Sequence, residues 1–124
     1  MIELREYPEN AILEAVVDGY VSAEEYHEVA EKTLAFIEKH GRIRVMKEIH
    51  SFSGMDFSAF KDKLVAALLK HLNDVIAVAV VTDEKWIQDL SNLLKSFYPY
   101  KMRCFKLTEI EEARVWLKEQ QLRD

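Results

Sequence analysis

The side chains that could perform chemistry are concentrated in the segment from His50 to Asp56, which holds a histidine, two serines, a glycine and an aspartate. This segment follows a predicted strand, at the edge where open parallel sheets bind ligands. A hydrolytic site would need a nucleophile, a base and an oxyanion hole assembled there. Aspartates such as Asp56 and Asp83 are also typical helix caps, and serine and glycine are typical of turns. We therefore expect no catalytic residues and no enzyme activity.

The other reactive groups are isolated from one another. Cys104 alternates with Met102 in a predicted strand, which is typical of a small buried side chain rather than of a catalytic thiol. The four histidines form no His-x-His or His-x-x-x-His pair, and there is no Cys-x-x-Cys, so no metal site is indicated. The chain also has no glycine-rich phosphate-binding loop. We expect neither a metal nor a cofactor.

Length, charge and hydropathy narrow the class of protein. The 124 residues predict a single domain over 1–124, and the net charge of -5 argues against nucleic acid as a partner. The longest apolar runs are far shorter than the roughly 20 residues that span a bilayer. Charges interrupt the first residues, unlike a secretory signal, and a lone cysteine suits a reducing compartment. These features together predict a cytoplasmic protein.

Hydrophobic periodicity predicts strands alternating with helices in the order ββαβαβαβα. The first two strands form an antiparallel hairpin, and right-handed crossovers make the later strands parallel, so an antiparallel strand lies at the sheet edge. A segment that is apolar at every position is expected to be covered by helices on both faces. Capping boxes start the first and last helices. The predicted strands are 2–7, 11–18, 42–51, 75–81 and 101–107, and the predicted helices run from Ser22 to Gly41, from Asp56 to about His71, from Asp83 to before Pro99, and from Thr108.

The predicted second helix is apolar over more than one face. The surplus could be core under neighbouring helices, the contact of a homodimer, or the wall of a pocket or a lipid-facing surface. We expect an apolar or lipid-like small molecule to bind near the second and third helices, with peripheral contact to a membrane. The residues predicted to bind this ligand or the membrane are Met55, Phe57, Phe60, Leu64, Lys85 and Trp86.

Several segments resemble the SpoIIAA-like proteins over nearly the whole chain. The resemblance is carried by residues 19–26, 38–45, 70–74, 79–83, 85–86, 105 and 112–117. It implies a STAS-like β-α superhelix, related in shape to the CRAL-TRIO lipid-transfer domains. It also implies a binding module rather than an enzyme.

The same resemblance implies an alternative function as a protein-interaction module of the anti-anti-sigma type. Sporulation relatives of that type carry a phosphorylatable serine in an Asp-Ser-Ser-Gly-like turn at the start of the second helix. Ser53 is the nearest match, although the preceding aspartate and the paired serine are absent. Phosphate at Ser53 would change the surface charge sharply.

Overall fold

The structure is a computed structural model that describes residues 1–121. The strands and helices are connected by loops and by 3-10 turns at Pro8–Asn10, Phe57–Lys61, Leu72–Asp74, Lys95–Phe97 and Leu107–Glu109. The strands and helices are β1 (Ile2–Tyr7), β2 (Ile12–Val17), β3 (Tyr20–Val21), α1 (Ala23–His40), β4 (Ile43–Ile49), β5 (Gly54–Met55), α2 (Lys63–Lys70), β6 (Val75–Thr82), α3 (Lys85–Leu94), β7 (Lys101–Phe105) and α4 (Ile110–Glu119).

The main sheet has the strand order β1-β2-β4-β6-β7. β1 pairs antiparallel with β2, whereas the pairs β2-β4, β4-β6 and β6-β7 are parallel. This confirms the predicted α/β fold and its antiparallel edge strand. Because each right-handed crossover advances in the same direction, α1, α2 and α3 lie on one face of the sheet. α4 packs on the other face, against β4, β6 and β7.

Local side-chain contacts explain where the first helix begins and ends. The Ser22 hydroxyl accepts a hydrogen bond from the Glu25 amide at 3.1 Å, and the Glu25 carboxylate accepts one from the Ser22 amide at 3.2 Å. This is the predicted capping box. Gly41 ends α1 with a positive φ of 78°, a conformation that glycine adopts without steric cost.

The prediction that the second helix begins at Asp56 is wrong. Asp56 caps only a 3-10 turn, because its carboxylate accepts from the Ser58 amide. Asp62 begins α2 instead, where its carboxylate accepts from the amides of Leu64 and Val65. The second aspartate thus divides one predicted helix into a turn and a helix of 8 residues. The two-stranded sheet of β3 and β5, also not predicted, lies in the loops that flank this region.

The third and fourth helices also begin later than predicted. α3 begins at Lys85, because the Thr82 hydroxyl accepts from the Glu84 amide and the Asp83 carboxylate accepts from the distant Leu107 amide. Asp83 therefore connects two loops rather than capping the helix. α4 begins at Ile110 and not at Thr108, after a turn in which Glu109 accepts from the Lys106 amide.

Two cores lie on opposite faces of the sheet. The α4 face packs Met46, Ala77, Ala79 and Val81 against Ala113 and Leu117. The opposite face packs Leu13, Ile43 and Val78 against Phe36 of α1 and Ile87 of α3. β6 contributes to both cores and is buried except at Ile76, which confirms that helices cover both of its faces.

Candidate functional site

A cavity of about 300 Å³ lies between the sheet, the first half of α1 and α2. It exists because α2 packs mainly on α1 and not on the sheet. The lining residues come from four strands of the main sheet, from α1 and α2, and from the segments between them. They are Ile2 and Leu4 of β1, Leu13, Ala15 and Val17 of β2, Val45, Lys47 and Ile49 of β4, Val75 and Val78 of β6, Tyr26, Val29 and Thr33 of α1, Leu68 of α2, and Val21, Phe52, Leu72 and Tyr100. The volume lies at the lower end of the range for small-molecule sites, about 300–1,000 Å³.

Lys47 is the single charged residue among those that line the cavity. It lies in the middle of β4, paired with Ala15 of β2 and Val80 of β6. Side chains two residues apart on a strand share a face, so Lys47 points to the same side as Val45 and Ile49. The small side chain of Ala15 leaves room beside it. The strand therefore presents an ammonium group to a mostly apolar space.

No described residue neutralises this ammonium group. Lys47 forms none of the ion pairs and none of the side-chain hydrogen bonds found within residues 1–121. Burial among apolar side chains lowers the pKa of Lys47, because desolvation disfavours the charged form. The side chain is nevertheless accessible to water-sized molecules, since it borders the open cavity. An anionic ligand inside the cavity could therefore pair with Lys47 without displacing any described carboxylate of the protein.

Three hydroxyl groups provide the remaining polarity of the lining, from Tyr26, Thr33 and Tyr100. Burial raises the pKa of the Tyr26 phenol and, together with the neighbouring Tyr98, that of the Tyr100 phenol. The rings of Tyr98 and Tyr100 stack with centroids 5.0 Å apart. Both half-buried phenols thus keep their protons and can donate hydrogen bonds at neutral pH.

Acidic side chains lie in a neighbouring groove between β1 and α1. The groove shares Ile2, Leu4 and Val29 with the cavity and also contains Glu25 and Glu28. Glu25 is engaged by the Ser22 and Ile2 amides, which lower the pKa of its carboxyl group, and Glu28 pairs with Lys32 at 3.2 Å. These carboxylates therefore have their own partners outside the cavity.

The structure places the residues predicted to bind a ligand outside the cavity lining. Met55 and Leu64 are half-buried, whereas Phe57 and Phe60 are 73% and 49% exposed and stack on each other with centroids 6.3 Å apart. Lys85 is exposed and lies 3.7 Å from Asp89.

Trp86 is the predicted residue that comes nearest to the cavity. It is 50% exposed, and its ring lies 6.2 Å, centroid to centroid, from Phe52, which lines the cavity. The fluorescence of Trp86 can therefore detect a ligand that binds against Phe52. Trp116, the other tryptophan, lies on the α4 face beside Phe105.

Ser53 is exposed in the loop before β5, where its amide donates to the Gly19 carbonyl at 3.0 Å. β5 and the 3-10 turn Phe57–Lys61 separate it from α2, so the serine does not lie at the start of that helix. Its modification stays a prediction. Cys104 is half-buried on the sheet face that carries Val80 and Met102.

Sequence reasoning missed Lys47, although a signal for it was present. Ile43, Val45 and Ile49 alternate along one strand face, and Lys47 occupies the same register. A lysine in the apolar register of a predicted interior strand is unusual enough to mark a site.

Within residues 1–121, no three or more His, Cys, Asp or Glu side chains are grouped so that they could hold a metal ion. None of the helices in that range has the length and apolar character needed to cross a membrane.

Comparison with known proteins concerns the fold. The SpoIIAA-like family model matches residues 12–118. A crystal structure from Shewanella loihica PV-4, of an uncharacterized protein from the DUF3478 family with a SpoIIAA-like fold, is similar with a TM-score of 0.69 and 22% sequence identity. The similarity covers 94% of this chain and 92% of that one. No match is found among curated protein sequences.

Proposed function

The chain belongs to the SpoIIAA-like family, whose fold is consistent with a non-catalytic regulatory module, and from this premise we propose that its cavity binds an apolar or amphiphilic small molecule. The observation that carries the proposal is the space between the sheet and α2, lined almost entirely by apolar side chains. An apolar pocket with a few polar groups is the usual form of a small-molecule site. The ligand would be held mainly by burial of its hydrocarbon surface.

Filling the cavity is expected to weaken this binding strongly. Ala15 lines the cavity, and the Ala15→Leu substitution adds side-chain volume where the ligand would lie. We expect the variant to bind 1-decanol at least about tenfold more weakly than the parent, which corresponds to about 1.4 kcal/mol. Titration calorimetry and Trp86 fluorescence, the latter in a Trp116→Phe background, measure the affinity.

The matched control is Ala35→Leu, which makes the same chemical change at an exposed position of α1. It should bind 1-decanol as the parent does. A parent protein that shows no saturable binding would refute the proposal. So would an Ala15→Leu variant that is folded and binds like the parent.

We further propose peripheral contact with a membrane, through the stacked Phe57 and Phe60. These rings are exposed beside the exposed Lys61 and Lys63. Aromatic rings next to basic side chains suit the interface of an anionic bilayer. The exposed rings are the specific observation that favours this second function.

Flotation with vesicles of phosphatidylcholine and phosphatidylglycerol tests the membrane proposal. The Phe57→Ser/Phe60→Ser variant should lose most of the vesicle-bound fraction, because two exposed rings that would insert are removed. The control Val115→Ser changes an exposed apolar side chain of α4 and should bind like the parent. Equal flotation of parent and double variant contradicts the proposal. If the double substitution instead converts a dimer to a monomer in sedimentation without changing flotation, the rings belong to a homodimer contact.

A further inference from the structure

We infer that the ligand of the cavity is an amphiphilic carboxylate whose anionic group pairs with Lys47. This inference rests on the proposed function, since it names the chemical class of the molecule that the cavity would hold. It adds that the charge of the ligand, and not only its hydrocarbon chain, is recognised.

The charge balance of the site is the first argument. Lys47 is the single charged residue that lines the cavity, and no carboxylate among residues 1–121 forms an ion pair with it. Lys47 is exposed to water at the cavity; a ligand that fills the cavity displaces that water, and an ammonium group left among apolar side chains without a partner is costly. An anionic ligand removes that cost, whereas a neutral or cationic ligand does not.

The hydrogen-bonding capacity of the site is the second argument. A carboxylate accepts several hydrogen bonds through its two oxygens. Lys47 offers up to three donors, and the protonated phenols of Tyr26 and Tyr100 line the same cavity. All of these groups can donate to a carboxylate, and no carboxylate of the lining competes with them.

The size of the cavity limits the hydrocarbon part. A water molecule occupies about 30 Å³ of the liquid, so 300 Å³ corresponds to roughly ten non-hydrogen atoms. A single medium-length chain fits this volume. A two-chain phospholipid does not fit inside it, and would be a ligand of the outer surface instead.

Three probes of the same chain length, decanoate, 1-decanol and decylammonium, separate the charge from the hydrocarbon. They are titrated below their micelle concentrations into the full chain and into the Lys47→Met variant. Methionine keeps an unbranched apolar side chain but removes the charge, so the variant should fold. The parent should prefer decanoate to decylammonium by at least about tenfold, as expected for a hydrogen bond between charged groups. Lys47→Met should weaken decanoate binding by a similar factor, and should affect 1-decanol binding far less than decanoate binding.

Lys118→Met is the matched control, because it removes an exposed lysine on the opposite face of the sheet. It should bind decanoate like the parent, which excludes an effect of net charge alone. If 1-decanol binds but Lys47→Met binds decanoate like the parent, the inference is overturned and the proposed function stands. If no probe binds the parent, both fail. A decanoate affinity lowered equally by Lys118→Met and Lys47→Met also overturns the inference.

Discussion

Replacement of Arg114 by leucine is expected to lower the free energy of unfolding by about 3–5 kcal/mol, the usual cost of leaving a buried charge unpaired. Arg114 of α4 donates from Nε to Glu14 Oε2 at 2.9 Å and from Nη2 to Glu14 Oε1 at 3.1 Å. Glu14 lies in β2 and is 1% exposed. The hydrogen bonds and charge of Glu14 raise the pKa of Arg114, which therefore stays charged at neutral pH. Urea denaturation followed by circular dichroism measures the loss.

The double variant Glu14→Leu/Arg114→Leu is expected to recover most of that stability, because neither charge then remains buried. Glu111 provides a surface control, since it pairs with the same guanidinium but its side chain is 79% exposed. We expect Glu111→Gln to cost less than about 1 kcal/mol. A single Arg114→Leu variant that loses no more than Glu111→Gln would contradict this account.

The second large effect is a difference in the stability lost when a leucine is replaced by alanine on one face of the sheet or on the other. Leu117 of α4 is fully buried against Met46 and Ala79, so Leu117→Ala should cost about 2–5 kcal/mol. Leu68 of α2 is half-buried and borders the cavity. Its side chain already lacks packing partners on one side, so Leu68→Ala should cost about 1 kcal/mol or less. Urea denaturation of both variants measures the difference.

Val115→Ala, at an exposed position of α4, should change the unfolding free energy by no more than about 0.5 kcal/mol. Similar slopes of unfolding against urea would show that all three variants are compared in the same two-state transition. Should Leu68→Ala prove as costly as Leu117→Ala, α2 would pack tightly on the sheet in solution. The cavity would then be too small for the proposed ligand.

Loose packing under α2 agrees with a binding role. A site for a small molecule requires space that the folded chain does not fill, and that space lowers the packing energy of the elements around it. In this structure the looser packing occurs only on the side of the sheet that faces α1 and α2. The α4 side keeps its core of fully buried residues, including Met46, Val81 and Leu117, and supports the strand that presents Lys47.

Local features of the sequence predicted the fold correctly. The Ser22 capping box, the glycine at position 41 and the apolar run of β6 depend on neighbours within a few residues, so spacing alone reveals them. The antiparallel hairpin of β1 and β2 follows in the same way from a short turn between two segments that are typical of strands. The element order and the handedness of the crossovers then leave few topologies to choose from.

The hydrophobic pattern of the sequence did not show where α2 begins. Asp56 and Asp62 are both good caps by type, and helical spacing continues through both of them. The structure shows Asp62 with its carboxylate on two helix amides, and also bound to the His27 ring at 2.6 Å. His27 and Asp62 are 35 positions apart in the sequence, so rules based on neighbouring residues do not predict this contact with α1.

The sequence by itself determined the α/β class, the sheet with its antiparallel edge and the capping box of the first helix, because these depend on hydrophobic period and on short-range hydrogen bonds. Only the tertiary structure decided where the surplus apolar residues of the second helical segment lie. Leu68 and Leu72 line a cavity, while Phe57 and Phe60 face outward. It also decided that Glu14 meets Arg114 across 100 positions and that Lys47 meets no partner within residues 1–121. The physical reason is that the partner of a charged side chain depends on which distant elements pack against its strand. The sequence of one segment does not specify those elements.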